Sequence, residues 1–203
     1  MPEQEQSTEE KILAAAEETF VKDGFEGARM QNIANKAGIN KAMLHYYFRS
    51  KEMLFEKIFE MKSKFFFPAV KDMMLREEGT FTEKMEEFAQ RYIEFLTRYP
   101  FIPFFVIRTV NSSGTQGFIE KLPFKAQLAE SVVLSYQKDR ERGLVGEIDP
   151  HQFLLSVIGM CVFPFLGKPI LKVVFEMEDS NFESMMRSRI PELKLYIRKI
   201  LTP

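Results

Sequence analysis

The residues with the most suggestive chemistry lie together in one short segment that begins at Asn40. Asparagine is a favoured first residue of a helix, because its side chain can accept a hydrogen bond from a free backbone N–H. A helix starting there presents Lys41, Ala42, Met43 and His45 near its exposed end. A small alanine permits close approach to a major groove, and a lysine can donate to guanine acceptors or to a phosphate. This segment therefore predicts a DNA contact.

Three consecutive aromatic residues, Tyr46, Tyr47 and Phe48, continue the same predicted helix. Residues of a helix point about 100° apart, so the three rings spread over roughly 200° and cannot all face inward. At least one tyrosine should reach outward, where phosphate contact would explain its exposure. Lys51 then opens the next helix, where free N–H groups, the helix dipole and an ammonium together suit a phosphate. The alternative is an ordinary structural corner whose aromatic residues all belong to the core.

Two short helices, predicted over 30–37 and 41–48, must position these residues. Gly38 lies between them and can adopt the positive φ that such a turn requires, since it has no Cβ. Ala34 is small where the two backbones approach each other. The pattern predicts a helix-turn-helix over residues 30–51. Three apolar residues are expected to fill the space beneath the corner: Ile33, Ile39 and Leu44.

Charge is distributed unevenly although the whole chain has a net charge of only −1. Residues 1–21 hold six acidic residues and one lysine, whereas residues 22–51 hold six basic residues and two acidic ones. A local basic patch on a nearly neutral protein suits phosphate contact, although charge runs are more often simply a solvated face.

Helical periodicity continues along the chain, and we find no sustained alternation typical of strands. Ser7 and Glu10 have the spacing of a capping box for a first helix that Gly24 should end. Asp149 followed by Pro150 predicts another helix start. After Ser50, a buried stripe is expected at four apolar residues: Leu54, Ile58, Met61 and Phe65.

These patterns predict an all-α fold of about nine helices in two domains. A three-helix helix-turn-helix domain is expected at 1–50, and a larger helical domain at 51–203. The last helical pattern, about 181–201, is expected to be interrupted by Pro191, because proline lacks a backbone N–H.

Several classes of function find little support in the composition. With Cys161 as the only cysteine and two histidines in the chain, a cysteine-based zinc site or a disulfide within the chain is excluded, and we expect no metal or cofactor. No Gly-x-Ser-x-Gly elbow, Walker-type loop or His-Glu-x-x-His motif indicates an enzyme. The acidic, polar N-terminus is unlike a secretion signal, so we expect a cytoplasmic protein without a membrane span.

The segment from Ile33-Ala34 through Ala37-Gly38-Ile39-Asn40-Lys41 to Leu44-His45-Tyr46-Tyr47-Phe48-Arg49-Ser50-Lys51-Glu52-Met53-Leu54 resembles the TetR family of regulators. With the first helix included, the resemblance covers about the first 60 residues. It implies a homodimeric, all-helical repressor that releases double-stranded operator DNA when a small ligand enters the C-terminal domain.

The resemblance also implies roles for individual residues. Positions 41, 42 and 45 correspond to the base-reading part of the family's recognition helix, and Tyr46 or Tyr47 together with Lys51 to its phosphate contacts. Arg29 replaces the family's usual threonine or serine cap and could contact phosphate instead, while His45 stands where tyrosine is usual. The candidate DNA-binding residues are therefore Arg29, Gln31, Lys41, Ala42, Met43, His45, Tyr46, Tyr47 and Lys51.

An apolar effector pocket is suggested mainly by the resemblance, together with 21 phenylalanines and no tryptophan. Phenylalanine-rich helices are nevertheless ordinary core more often than not. Arg108 is either a surface or ion-paired arginine or an anchor for an effector carboxylate. The candidate pocket residues are Phe88, Tyr92, Phe104, Phe105, Arg108, Met160 and Phe163.

Residues 153–167 carry no charge, which is typical of a helix buried on all sides. They are too few for a membrane span of about 20 residues. We therefore expect a subunit interface, and the resemblance likewise implies a dimer formed by the last two helices, here 150–163 and 181–201. Two alternatives stay open. One is an apolar-ligand carrier or enzyme with a purely structural head, and the other is a regulator that responds to a protein partner.

Overall fold

A computed structural model describes residues 7–111 and 125–203, which form ten helices and no strand. The predicted all-α fold is confirmed, with ten described helices against about nine expected. The helices are α1 (Thr8–Gly27), α2 (Met30–Lys36), α3 (Lys41–Tyr47), α4 (Lys51–Leu75), α5 (Phe81–Arg98), α6 (Ile102–Asn111), α7 (Lys125–Glu141), α8 (Pro150–Leu166), α9 (Lys168–Val174) and α10 (Asp179–Leu201).

The chain divides into two compact units, Met1–Phe65 and Phe66–Pro203. The first unit extends past the predicted domain boundary at residue 50, because the beginning of α4 contributes to its core. The Phe55 ring packs edge-on against Phe20 and Phe25, with ring centroids 5.3 Å and 5.5 Å apart. Helix α4 therefore begins in the first unit and ends in the second.

The buried stripe of α4 differs from the one predicted from its spacing. Leu54 and Ile58 are buried as expected, but Met61 is exposed and Phe65 is 80% exposed. The buried face continues instead through Phe55, Phe59 and Ser63, which lie four residues apart and therefore on one face of the helix. The expected burial of Met61 and Phe65 is therefore wrong.

Helix ends are fixed by the residues that the sequence suggested. Ser7 and Glu10 form a complete capping box at α1, and Gly24 interrupts that helix with φ +68°. The Asp149 carboxylate caps α8 by accepting hydrogen bonds from the backbone N–H groups of His151 and Gln152. These hydrogen bonds lower the pKa of Asp149 below its usual value, because they favour the charged form.

The second unit has one continuous apolar core, in which α5 contacts α7, α8 and α10. Two polar contacts fasten α5 to α10. Arg198 donates two hydrogen bonds to the Glu86 carboxylate at 2.5 Å and 2.8 Å, and Lys194 donates to the Gln90 side chain at 2.6 Å. These contacts hold α5 and α10 against each other. Both helices lie wholly in the described part of this unit and are its two longest such helices.

A proline inside α8 is compensated by a side chain from α10. Pro164 has no backbone N–H, so it cannot donate to the Met160 carbonyl four residues earlier. The Nε of Arg189 donates to that carbonyl at 3.0 Å. Arg189 therefore supplies the hydrogen bond that Pro164 removes from the helix.

Pro191 lies within α10 but does not end it, so the predicted interruption is wrong. Pro191 and Arg187, the residue one turn earlier, are both exposed. Water can therefore reach the carbonyl that the proline leaves without its helical partner.

Among the described helices, none is by itself long and apolar enough to cross a membrane. Pro150–Leu166 and Lys168–Val174 reach that length only together, and they bend by 70° at their junction.

Candidate nucleic-acid interface

The corner between α2 and α3 has the geometry that its sequence predicts. Gly38 adopts φ +71°, in the region that a residue with a Cβ rarely enters. The Ile39 N–H donates to the Ala34 carbonyl at 3.0 Å, which closes the end of α2. Ile33, Ala34 and Leu44 are completely buried, while Ile39 is partly buried. These residues fix the corner and leave the outer face of α3 to solvent.

Asn40 begins α3 as predicted, since its Oδ1 accepts a hydrogen bond from the Met43 N–H at 2.8 Å. The first turn that follows is exposed: Lys41, Ala42 and Met43 all face solvent. A capped, exposed helix start can enter a groove without first unfolding or moving a covering element.

The aromatic triplet divides between surface and core. Phe48 is buried, Tyr47 is 38% exposed and Tyr46 is 84% exposed. The Tyr46 and Tyr47 rings meet edge to face at 5.6 Å. The alternative that all three rings belong to the core is therefore wrong. Both tyrosines are thus exposed, as a phosphate contact requires.

His45 is exposed, and a backbone carbonyl just beyond α3 orients its ring. Its Nδ1 lies 3.2 Å from the Arg49 carbonyl oxygen. A carbonyl only accepts, so the proton of this hydrogen bond belongs to Nδ1. Nε2 is then the ring atom left to meet a base.

The start of α2 also contributes exposed polar groups. Arg29 stands at the position before the helix, is exposed and makes no side-chain cap hydrogen bond. Gln31 is exposed, and its amide donates to the Asn35 side chain at 2.8 Å. Lys36, by contrast, forms an ion pair with Glu18 of α1. The candidate residues on α2 and α3 are therefore exposed to solvent on one short stretch of the chain.

Lys51 has a different environment from the other candidates. Its ammonium donates to the backbone carbonyls of Phe25 at 2.5 Å and Ala28 at 3.2 Å, with the Glu26 carbonyl at 3.4 Å. It also lies 4.5 Å from the centre of the Phe25 ring. The structure thus directs this side chain toward the end of α1, which the sequence did not indicate.

The candidate pocket residues are only partly brought together. Phe88 and Tyr92 stack at 5.5 Å, and Met160 packs against the same core. Phe105 is buried, but Phe104 is 55% exposed and Phe163 is 63% exposed, so these two do not join Phe88 and Tyr92. The side chain of Arg108 lies outside the described residues.

Other aromatic residues join this cluster instead. Phe66 lies 5.6 Å from the Tyr92 ring and 4.5 Å from Phe95. The helical spacing of Phe88, Tyr92 and Phe95 could have suggested the α5 part of the cluster, whereas nothing near Phe66 in the sequence points to it.

Two titratable groups in the second unit are held in their neutral forms. Burial raises the pKa of the Tyr92 hydroxyl, and it raises the pKa of the Cys161 thiol to about 12. A thiol that stays protonated is a poor nucleophile and a poor metal ligand. Within the described residues, no three His, Cys, Asp or Glu side chains cluster as a metal site.

Comparison with known proteins agrees with this geometry. Residues 12–58 match the profile of the family "Bacterial regulatory proteins, tetR family". The chain is 43% identical to the HTH-type transcriptional repressor NicS of Pseudomonas putida over 58 residues, which are 29% of this chain and 27% of NicS. The match thus spans little more than a quarter of that relative's length.

Two solved structures resemble the chain over nearly its full length. The transcriptional regulator FadR of Bacillus subtilis, solved in complex with stearoyl-CoA, has a TM-score of 0.60 at 16% identity, covering 90% of this chain and 96% of FadR. The fatty acid degradation regulator FadR of Bacillus halodurans has a TM-score of 0.60 at 16% identity, covering 95% and 97%. Residues 12–58 therefore match the TetR-family model, and the chain has the all-α fold of solved transcriptional regulators.

Proposed function

We propose that this protein is a ligand-responsive DNA-binding repressor whose α3 enters the major groove of operator DNA. The observation that carries the proposal is the exposed face of α3, a helix capped by Asn40 on which a lysine, an alanine, a histidine and two tyrosines are open to solvent. Lys41, Ala42 and His45 would meet base edges, with Met43 beside them. The two exposed tyrosines, Arg29 and Gln31 would contact the phosphate backbone.

The combined change Lys41→Ala and Tyr47→Phe is expected to weaken operator binding by roughly tenfold, because each contact removed contributes to affinity. Both residues are exposed, so the thermal unfolding of the protein should be unchanged. Gel retardation or fluorescence anisotropy with a palindromic operator beside the protein's own gene measures the effect. Lys11→Ala, an equal loss of charge at an exposed position of α1, is the control. Unchanged operator binding by the double variant would mean that α3 is not the reading helix.

We further propose that the second unit responds to an apolar or amphipathic small molecule with an acyl chain. The aromatic cluster of Phe66, Phe88, Tyr92 and Phe95 offers an apolar environment with one hydroxyl. The B. subtilis FadR, which was solved in complex with stearoyl-CoA, has the same fold.

A matching ligand should raise the melting temperature, because a molecule that binds only the folded state stabilises it. The measurement is thermal unfolding with a panel of fatty acids, acyl-CoAs, alcohols and hydrophobic drugs. A compound that stabilises the protein should also lower its operator affinity. If no compound in the panel changes either quantity, the effector part of the proposal fails, and regulation by a protein partner becomes the better explanation.

The proposed repressor acts as a homodimer in the cytoplasm, without catalysis. One short helix reads few bases, whereas two heads related by a twofold axis address two half-sites. Residues 150–163 and 181–201 are the proposed dimer surface. Exposed apolar side chains on both helices support it, because burial by a second subunit would remove them from water. These side chains are Leu155, Phe163, Leu195, Tyr196 and Ile200.

A further inference from the structure

We infer that Lys51 is a positioning residue of the DNA-binding head: it holds the junction between α1 and α2 against the start of α4. This role differs from the phosphate contact that the family resemblance implies. It rests on the proposed DNA-binding function, since its consequence is the placement of the reading helix.

The Lys51 ammonium is surrounded by acceptors. An ammonium has three N–H donors and no acceptor. Phe25, Glu26 and Ala28 each turn a backbone carbonyl toward the Lys51 Nζ, at 2.5 Å, 3.4 Å and 3.2 Å respectively. The Phe25 ring lies against the same cation at 4.5 Å. Each of the three donors thus has a carbonyl within reach, and Lys51 is partly buried as a result.

These carbonyls belong to the short turn that follows a break in α1. Gly24 breaks the regular helix with φ +68°, ψ 176°, and α1 ends at Gly27. The Phe25 and Glu26 carbonyls follow that break and the Ala28 carbonyl lies just past Gly27, so all three converge on the Lys51 ammonium, and a charged donor strengthens each hydrogen bond. The last turn of α1 contains no basic residue of its own. Lys51 supplies the missing positive charge from a distant part of the sequence.

Helix packing within the head links this contact to the reading helix. Ala28 is followed directly by Arg29, which precedes the first residue of α2. Helix α1 packs on α2, and α2 packs on α3. Because Lys51 is also the first residue of α4, its side chain fixes the α1–α2 junction to the helix that begins immediately beyond α3. Loss of this contact should shift α2 and with it the exposed face of α3.

One ammonium cannot keep all these carbonyls and also donate fully to a phosphate oxygen. The two roles therefore predict different salt dependences of DNA binding. Each lysine–phosphate contact that is lost makes the slope of log affinity against log salt shallower by about 0.9. A positioning residue makes no phosphate contact of its own, so its removal leaves that slope unchanged when the other contacts are weakened and not lost.

The test compares Lys51→Met with wild type by operator binding at several salt concentrations and by urea unfolding. We expect Lys51→Met to weaken binding by about tenfold, the effect of misplacing contacts that together contribute about 1.4 kcal/mol. The slope should stay unchanged, and the urea midpoint should fall. Lys64→Met removes an exposed lysine from the same helix and should leave all three quantities at their wild-type values.

A second variant keeps the experiment decisive if Lys51→Met does not fold. Lys51→Arg retains the charge, and a guanidinium binds phosphate well through its planar fork. That fork does not match three carbonyls converging on one nitrogen, so we expect Lys51→Arg also to lose affinity without a change of slope. Wild-type affinity and stability for Lys51→Arg, or a slope made shallower by about 0.9 per head in Lys51→Met, would overturn the inference.

The outcome for wild type separates this inference from the proposed function. If the wild-type protein binds no operator DNA, the proposed function is wrong. The urea midpoints of Lys51→Met and Lys51→Arg then still decide whether Lys51 holds the α1–α2 junction: unchanged midpoints in both variants refute that role.

Discussion

The substitution Ala42→Glu is expected to lower operator affinity by about 100-fold or more, because like charges placed against each other in an interface cost several kcal/mol. Ala42 lies in the exposed first turn of α3, the turn proposed to meet DNA phosphates and base edges. A carboxylate there also fills the space that permits close approach. The folded head should not suffer, since an acidic residue in the first turn of a helix interacts favourably with its dipole.

Operator binding by Ala42→Glu measures the loss of affinity, and its thermal unfolding shows whether the head remains stable. The matched control is Ala69→Glu, an exposed alanine of α4 in the second unit, which changes the net charge equally. It should bind the operator nearly as well as wild type does. Equal loss of binding in both variants would show that overall charge, and not the face of α3, governs the affinity.

Arg189→Ala is expected to destabilise the protein by about 1–3 kcal/mol, the usual effect of leaving a buried polar group unpaired. The unpaired group is the Met160 carbonyl, which accepts from the Arg189 Nε at 3.0 Å in a partly buried site. Pro164 cannot replace that donor, because its nitrogen carries no hydrogen. Urea unfolding followed by circular dichroism gives the free energy of unfolding.

A double-mutant cycle isolates this compensation. In a Pro164→Ala background the alanine N–H can donate to Met160, so Arg189→Ala should be less destabilising there by about 1 kcal/mol. Arg187→Ala, an exposed arginine on the same helix, serves as the control and should stay within about 0.5 kcal/mol of wild type. Additive effects of the Arg189 and Pro164 changes would show that the two residues are not coupled.

The head could be predicted from the sequence because its determinants are local. Asn40 caps the helix that it immediately precedes, Gly38 makes its own turn, and Tyr46 must point away from Phe48 by helix geometry. Each of these conclusions needs only neighbouring residues and the regular period of a helix. The fold class follows for the same reason, since helical periodicity is a short-range signal.

Contacts between distant residues were not predictable in the same way. The Lys51 ammonium meets carbonyls more than twenty residues earlier in the chain, and Arg189 meets Met160 across two helices. A backbone carbonyl carries no signature in the sequence, so nothing marks it as the partner of a particular side chain. Prolines inside helices also differ in ways that the sequence does not show: Pro191 is exposed to water, whereas Pro164 is buried and needs Arg189.

The candidate pocket shows where periodicity fails. Phe104 and Phe163 belong to apolar helices, yet their side chains are largely exposed. A helix that is apolar on all sides gives no indication of which face meets the core of its own chain. Phe66, which does join the aromatic cluster of Tyr92, follows an exposed phenylalanine in an unbroken aromatic run. Residue type therefore could not show which phenylalanines of this run face the core and which face solvent.

The most direct test of the proposed function is the affinity of wild-type protein for a palindromic operator, measured across a series of salt concentrations against a single half-site and a scrambled duplex of equal length. A dimeric repressor that reads DNA through α3 should bind the palindrome tightly and the half-site more weakly. Its affinity should fall steeply and linearly on logarithmic axes as salt rises. Equal, salt-insensitive binding to all three duplexes, or no binding to any, would contradict the proposed function.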